Sequence, residues 1–392
     1  MNKYILKTGV QEFIEKKWNT DMMSVLLKKQ LFEGVSQKEL VEQLEAKKKC
    51  KDKLPTWFNT PFIYYPNKLN IEQTSSEPTA QYKANLIGGN SLIDLTGGLG
   101  IDCYFFSQNF TQIYHTEIDQ KVSEIAAYNF EVLGKKNIKI IAQNGLEFLQ
   151  QNDLNFDWIF IDPSRRNDAK EKVFFMSDCL PNVPNNLDLL FSRSSNILIK
   201  TSPLLDFSIG VNEFQFVKEI HVVALQNDVK ELLWILEKNY QGNISIKTIN
   251  LTKTTNEAYN FNLNDEREAV SEFSEPLSYI YEPNSAILKS GAFKSLGSHF
   301  NLKKLHNHSH LYTSDVLIEF PGRCFKIETV TSYNKKELQK LRIQKANITT
   351  RNFPDSVAII RKKYKIKDGG DIYLFFTTNL EDKLVVINCR KA

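Results

Sequence analysis

The sequence predicts an α/β protein: a doubly wound, largely parallel sheet with a helical extension before it and a smaller α+β region after it. Three observations carry this. Between residues 91 and 200, apolar runs too short for helices alternate with segments of helical period, the order that builds parallel sheets. The first run, Leu92, Ile93 and Leu95, leads directly into Gly97, Gly98 and Gly100. A strand that turns sharply into a helix needs positions free of a Cβ, both for positive φ and for close approach of a ligand. Near residue 256 the alternation gives way to an acidic stretch poor in apolar residues, which separates off the last third of the chain.

The elements follow in order. Val10, Phe13, Ile14 and Trp18 recur at helical spacing, as do Val25, Leu26, Leu31 and Phe32. Ser36 with Glu39 makes a capping box for a helix reaching the 46–49 region. Lys47, Lys48, Lys49, Lys51 and Lys53 at its end suit either phosphate contacts or a solvated helix terminus that favours cations. From 54 to 68, prolines and the aromatics Trp57, Phe58, Phe62, Tyr64 and Tyr65 mark an ordered linker. Its rings either stack on bases or pin the segment to the core. A helix over 79–87 feeds the strand that precedes the glycines. A strand over 111–119, a helix over 120–133 and a strand over 138–143 come next. Asn144-Gly145 opens a short helix, and 156–163 is a fourth strand ending in Asp162-Pro-Ser-Arg-Arg166. A helix over 185–191 and a fifth strand over 196–200 follow. Residues 217–224 and 231–236 read as a closing antiparallel hairpin, although 229–236 alone also fits a helix; 244–251 is a further strand. Residues 256–276 read as a linker. The remainder reads as strand 279–281, helix 286–300 and strand 315–319, then strand 323–330, helix 335–341 and strand 345–349. A helix over 355–363 and strands over 372–377 and 384–388 complete it.

With 392 residues, 42% apolar and 24% charged, the composition is that of an ordinary globular chain of two or three domains. No apolar run approaches the roughly 18 residues of a membrane span, and residues 1–10 are too weakly apolar for a signal peptide. Five scattered cysteines without a CxxC pair point to reduced thiols and a cytoplasmic location. Net charge is +4 over 1–54, −5 over 55–254, −4 over 255–321 and +9 over 322–392. An acidic centre flanked by basic ends suits a polyanionic partner.

The motifs Gln73-Thr-Ser-Ser-Glu-Pro-Thr-Ala80, Asp94-Leu-Thr-Gly-Gly-Leu-Gly100, Asp162-Pro-Ser-Arg-Arg166 and Lys200-Thr-Ser-Pro203 carry a resemblance, as do Ala346-Asn-Ile-Thr-Thr-Arg-Asn-Phe-Pro354 and Lys367-Asp-Gly-Gly-Asp371. Over nearly its whole length the chain resembles a class I S-adenosylmethionine-dependent methyltransferase with a THUMP-like C-terminal domain. The resemblance implies a Rossmann-like sheet, S-adenosylmethionine as cofactor, and RNA as partner. It divides the chain into a helical extension and linker (1–78), a Rossmann-like methyltransferase domain (79–254), a small ferredoxin-like unit (277–321) and a basic THUMP-like domain (322–392).

The candidate cofactor residues are Asp94, Thr96, Gly97, Gly98, Gly100, Glu117, Ile118, Asn144, Gly145 and Ser76. The glycine-turn amides suit the cofactor carboxylate beside a helix N-terminus, and Asp94 suits a cationic or amide-donating group. Glu117 at the second strand's end suits the ribose hydroxyls, and Asn144 suits the adenine edge. Ser75, Ser76 and Glu77 occupy the expected position of a lid. The catalytic candidates are Asp162, Pro163, Ser164 and Arg165. Similar amino-methyltransferase motifs aim a carboxylate or amide at the attacking amine, and such positioning accounts for much of a rate enhancement. Ser164 and Arg165 stand where those motifs carry a second proline and an aromatic, so Arg165 and Arg166 are alternatively phosphate ligands.

Other chemistries lack their residues. No cysteine follows the fifth strand for carbon-5 pyrimidine methylation, and no GxGxxG supports a nicotinamide cofactor. His306, His308 and His310 alternate but have no carboxylate or cysteine company, so no metal is expected. Two further functions stay open at this point: a cofactor-binding RNA module or assembly factor without turnover, and a methyltransferase for a substrate other than RNA.

Overall fold

The apolar runs become strands buried on both faces. In the computed structural model, which describes residues 1–165 and 175–392, these are β1 (Gly89–Asp94), β2 (Phe110–Thr116), β3 (Ile138–Ile141) and β4 (Trp158–Ile161). Two-residue strands β5 (Ser164–Arg165) and β6 (Cys179–Leu180) pair antiparallel with each other. Then come β7 (Asn196–Thr201), β8 (Val217–Leu225), β9 (Asp228–Glu237), β10 (Ser245–Leu251) and β11 (Glu257–Asn262). The chain divides into two compact units, 1–218 with 232–241 and 219–231 with 242–392.

In the first unit the strands run β9-β7-β4-β1-β2-β3. All neighbours are parallel except β9, which runs against β7. Ile93, Ile113, Ile159, Ile197, Leu198 and Ile199 are fully buried. That explains why these strands read as continuous apolar runs rather than alternating ones. Because β1 lies between β2 and β4, the winding reverses there, and ligands bind at such a switch point beyond the strands' carboxyl ends.

The N-terminal extension is helical at Thr8–Lys17, Met22–Leu26 and Gln37–Lys53. The Ser36–Glu39 capping box forms with both of its hydrogen bonds. Leu31 and Phe32 fall outside any helix; Phe32 instead bridges to Val35. Lys47 is 1% exposed and bonds Glu15 and the Phe58 carbonyl, so it cannot reach a phosphate. Lys49 pairs with Glu72, and Lys51 lies over Trp18. In the linker, Trp57, Tyr64 and Tyr65 are buried, with Asn129 clamping both main-chain groups of Tyr64. These rings pin the segment rather than await a base.

In the second unit, β10 pairs parallel with β8 and antiparallel with β11. Gln226 and Asn227, both at positive φ, turn the chain after β8, and β9 is extended, its residues 232–237 pairing with β7. The helical alternative for 229–236 is therefore excluded. The 256–276 segment is not a plain linker: it holds β11, whose Tyr259 and Phe261 alternate inward, and the helix Leu263–Glu268. Further on lie β12 (Tyr279–Pro283), β13 (Lys303–Lys304), β14 (Tyr312–Ser314), β15 (Gly322–Ser332), β16 (Asn347–Thr350), β17 (Tyr373–Thr378) and β18 (Leu384–Lys391). They form one sheet, β13-β14-β12-β15-β18-β17-β16, so residues 279–314 and 322–391 share a single hydrogen-bonded layer. The expected helix over 286–300 is two, Ser285–Ser290 and Ser295–Phe300, broken where Gly291 takes φ +78. Residues 315–319 form no strand.

Of the basic residues in this unit, Lys335, Lys336, Lys340, Arg342, Lys345, Lys362 and Lys363 are exposed. Arg351 instead holds the buried Glu282, and Arg361 holds Asp368 and two carbonyls. His306, His308 and His310 lie in a turn rather than on a strand face; His306 bonds Asp382, and His310 stacks on Phe293.

Candidate functional site

The turn after β1 is built on three tight contacts. Gly97 N–H donates to the Thr116 carbonyl, which draws the turn over the buried His115. A Cβ on Gly97 would lie 2.4 Å from His115 Nε2. Gly100 takes φ +76 directly against the Phe130 ring. Gly98 also takes positive φ, +53, but a Cβ there would meet nothing nearer than the Thr96 carbonyl at 3.9 Å. The turn is thus packed from below at Gly97 and Gly100 and open above at Gly98. That opening is the space a ligand would take.

Glu117 faces the opening. Its Oε2 accepts from Gly98 N–H at 2.8 Å and its Oε1 from Asp119 N–H at 2.8 Å. Asp94 is placed differently from the expectation. Its carboxylate is 1% exposed and is taken up internally by Thr96 N–H (2.9 Å), the Thr96 hydroxyl (3.3 Å) and the Cys103 thiol (3.2 Å). Burial pushes Asp94 up to about 7 against those hydrogen bonds, and burial holds His115 down to about 4. Asp94 therefore shapes the turn rather than offering a free carboxylate.

Two adjoining chambers open at the carboxyl ends of β1, β2 and β4. The first, about 290 Å³, is lined by the glycine turn, Asp102, Glu117 and the segment bearing Gln73, Thr74 and Ser75. The second, about 730 Å³, is lined by Ile118, Asn144, Gly145 and Leu146 on one side and by Ser164, Leu180, Pro181 and Asn186 on the other. Thr96, Gly98, Glu117 and Asp162 line both.

The structure brings most of the expected residues together here. Asn144 caps the helix Gly145–Gln151 through Oδ1, which bonds Leu146 N–H at 3.0 Å; its amide nitrogen is the group that can address a ring edge. Gly145 permits close packing, since a Cβ would lie 2.7 Å from Leu95 Cα. Ile118 is 69% exposed and offers an apolar wall. Ser76 does not line either chamber; its hydroxyl turns to Thr79, and Glu77 accepts from Thr56. Ser75 takes the lining position instead. It donates to Asp102 at 2.9 Å and accepts from Lys83 at 3.1 Å, while the fully buried Lys83 pairs with Asp102.

Asp162 carries an ion pair with Lys200. Pro163 turns away from the large chambers toward Met176, Cys179, Thr201 and Leu205. Ser164 pairs with Leu180, which sets Leu180, Pro181 and Asn182 beside Asp162 as lining. Arg165 is described only as backbone in β5; its side chain and Arg166 lie outside the described residues. Lys83, Asp102, Lys200, His115 and Leu180 were not singled out as site residues. Only Lys200 had a signal, its place in the Lys200-Thr-Ser-Pro203 motif at the end of β7.

A parallel sheet with a glycine turn after its first strand, an acid at the end of its second and an Asp-Pro at the end of its fourth defines a class I S-adenosylmethionine-dependent methyltransferase. The open face of the turn at Gly98, Glu117, and the apolar wall with the Asn144 amide suit the amino-acid, ribose and adenine parts of that cofactor. The Gly97, Gly98 and Gly100 N–H groups expected for its carboxylate are already given to Thr116, Glu117 and Gly97, so the turn offers space rather than those amides. Comparison with known proteins gives the same class. A crystal structure from Porphyromonas gingivalis W83, described as a methyltransferase, is 32% identical, with a TM-score of 0.89 over 98% of each chain. A family described as a ferredoxin-like domain matches residues 279–321, and one described as THUMP domain-like matches 322–391. Two uncharacterized S-adenosylmethionine-dependent methyltransferases of Mycobacterium tuberculosis, from strains CDC 1551 and H37Rv, are each 24% identical over 165 residues. That match covers 42% of this chain and spans 44% of the length of those relatives. The chain belongs to the S-adenosylmethionine-dependent methyltransferases that carry ferredoxin-like and THUMP-like segments. No helix among the described residues is long and apolar enough to cross a membrane.

Proposed function

We propose that this protein transfers the methyl group of S-adenosylmethionine to a base amine of structured RNA, rRNA or tRNA. In this reading residues 79–254 do the chemistry, and the ferredoxin-like (277–321) and basic THUMP-like (322–392) segments hold the substrate. The observation that carries it is the pair of chambers meeting at Asp162. One side of Asp162 has the groups for the cofactor; the other side, by Ser164 and Leu180–Asn182, is left for an acceptor.

Bound S-adenosylmethionine supplies an electrophilic methyl carbon. The chain supplies position. Asp162 holds Lys200 yet keeps about a third of its side chain exposed (34%), so its carboxylate is reachable by an acceptor N–H. Accepting that N–H turns the nitrogen lone pair toward the methyl carbon, an alignment worth a large part of the barrier. Asp162 then takes the proton the nitrogen sheds once the new N–C bond has formed and the C–S bond has broken. Leu180 and Pro181 line the acceptor side of Asp162.

The RNA part rests on the THUMP-like match and on charge. Residues 322–392 carry 16 basic against 7 acidic side chains. Exposed Lys335, Lys336, Lys340, Arg342, Lys345, Lys362 and Lys363 are the proposed phosphate ligands. Nucleoside mass spectrometry of RNA from a strain lacking the gene tests this. One methylated base should disappear and return on complementation; an unchanged nucleoside profile would reject RNA as the substrate.

A further inference from the structure

At the carboxyl ends of β1 and β4 one side chain does the work of a backbone. Leu95 N–H makes the last ladder bond between them, to the Phe160 carbonyl at 3.0 Å. Beyond it the β1 chain leaves the sheet, because Gly97 N–H is committed to Thr116 on the other side. The next β4-side amide, that of Asp162, does not continue the backbone ladder. It donates to the Thr96 hydroxyl at 2.7 Å instead. That hydroxyl spends its own proton on Asp94 Oδ1 at 3.3 Å, and the same oxygen takes Thr96 N–H at 2.9 Å. Asp94 is fixed in turn by the Cys103 thiol. A chain of hydrogen bonds thus runs from the buried floor of the glycine turn to the main chain of Asp162.

We propose that Thr96 is a positioning residue: its hydroxyl anchors the Asp162 backbone to the cofactor turn, so that the acceptor carboxylate and the cofactor keep one relative geometry. This rests on the reading of Asp162 as the group that holds the acceptor. An unpaired buried amide is costly, and without the hydroxyl the Asp162 main chain would move toward another acceptor or solvent. Displacement on the scale of an ångström is enough to cost roughly a hundredfold in rate. Serine preserves the link; valine preserves the volume and removes it.

Two readouts test this in Thr96→Val and Thr96→Ser, with Thr96→Ala standing in should the valine variant not fold. The first is hydrogen exchange at the Asp162 amide in protein saturated with S-adenosylhomocysteine, which requires no substrate. Protection should fall about tenfold or more in Thr96→Val and persist in Thr96→Ser. The second is methyl transfer to RNA from the deletion strain, which should drop about 30- to 100-fold in Thr96→Val while S-adenosylhomocysteine affinity stays within about threefold. Thr96→Ser should recover both. Unchanged protection in Thr96→Val overturns the anchor whatever the substrate. Affinity that falls in step with the rate also overturns it, since Thr96 would then be a cofactor ligand. A wild-type protein that labels no RNA would remove the RNA reading, and the amide readout would still decide the anchor.

Discussion

Gly97 and Gly98 are neighbours with opposite reasons for being glycine, and alanine at each should fail in a different way. At Gly98 the cost to the fold is conformational: φ is +53, and a non-glycine residue there loses about 1–2 kcal/mol. For a unit of this size that lowers Tm by roughly 2–8 °C. Its Cβ meets no protein atom within 3.9 Å and projects into the first chamber. A cofactor lying along the turn must then give way to a methyl group, a clash worth about 2 kcal/mol, or roughly thirtyfold in Kd. Gly97 has ordinary φ, but its Cβ would fall 2.4–2.6 Å from three atoms of the His115 ring. That ring cannot slide, being edge-on to Phe130 and bonded through Nε2 to the Gly98 carbonyl. Gly97→Ala should therefore destabilise the fold by about 3 kcal/mol, at the upper end for overpacking. Calorimetric unfolding and titration with S-adenosylhomocysteine separate the two. A Gly98→Ala protein that binds S-adenosylhomocysteine like wild type would refute the placement of the cofactor over Gly98.

Further outcomes follow from the same geometry. Glu117→Ala should weaken S-adenosylhomocysteine by about 1–3 kcal/mol, as the loss of a partly buried ligand contact does; unchanged affinity by calorimetry would take Glu117 out of the site. His115, held down to about 4 by burial, takes up its proton more readily when unfolded, near pH 6.5. Stability should therefore drop as pH falls from about 6.5 toward 4, by on the order of 3 kcal/mol. His115→Gln should flatten that loss in urea titrations across the range, and an equal slope in the variant would contradict it. Asp94, raised to about 7, works in the other direction, retaining its proton in the fold and costing stability as pH rises from about 4 to 7. Neutralising Lys335, Lys336 and Lys340 together should reduce the log–log salt slope of RNA binding by about 2 and leave cofactor affinity unchanged. An unchanged slope would mean that these side chains only solvate the surface.

Local chemistry made much of this legible. The apolar runs, the glycine turn, the Ser36–Glu39 capping box and the position of Glu117 are each specified within a few residues, and the structure shows each of them. What depended on distant residues was not legible. Nothing near Lys47 tells that Glu15 and the Phe58 carbonyl lie over it, nor near Lys83 that it is buried against Asp102. The inward face of β11 was hidden because Glu257, Asn260 and Asn262 around Tyr259 and Phe261 made an alternating strand look like a polar linker. The run 286–300 has helical spacing throughout, yet Gly291 at positive φ ends one helix before the next begins. In the site, Thr96 was visible as a member of the turn, but its bond to the Asp162 amide exists only once β1 and β4 lie side by side.

Asp162→Asn tests the central claim most directly, assayed for transfer of labelled methyl from S-adenosylmethionine to RNA from the deletion strain, alongside S-adenosylhomocysteine binding. The amide keeps the shape of the carboxylate but neither accepts the proton nor pairs with the Lys200 ammonium in the same way. The account predicts that wild type labels the RNA, and that the variant loses transfer by about 100-fold or more while binding S-adenosylhomocysteine within a few-fold. Transfer that survives in Asp162→Asn at the wild-type rate would contradict it.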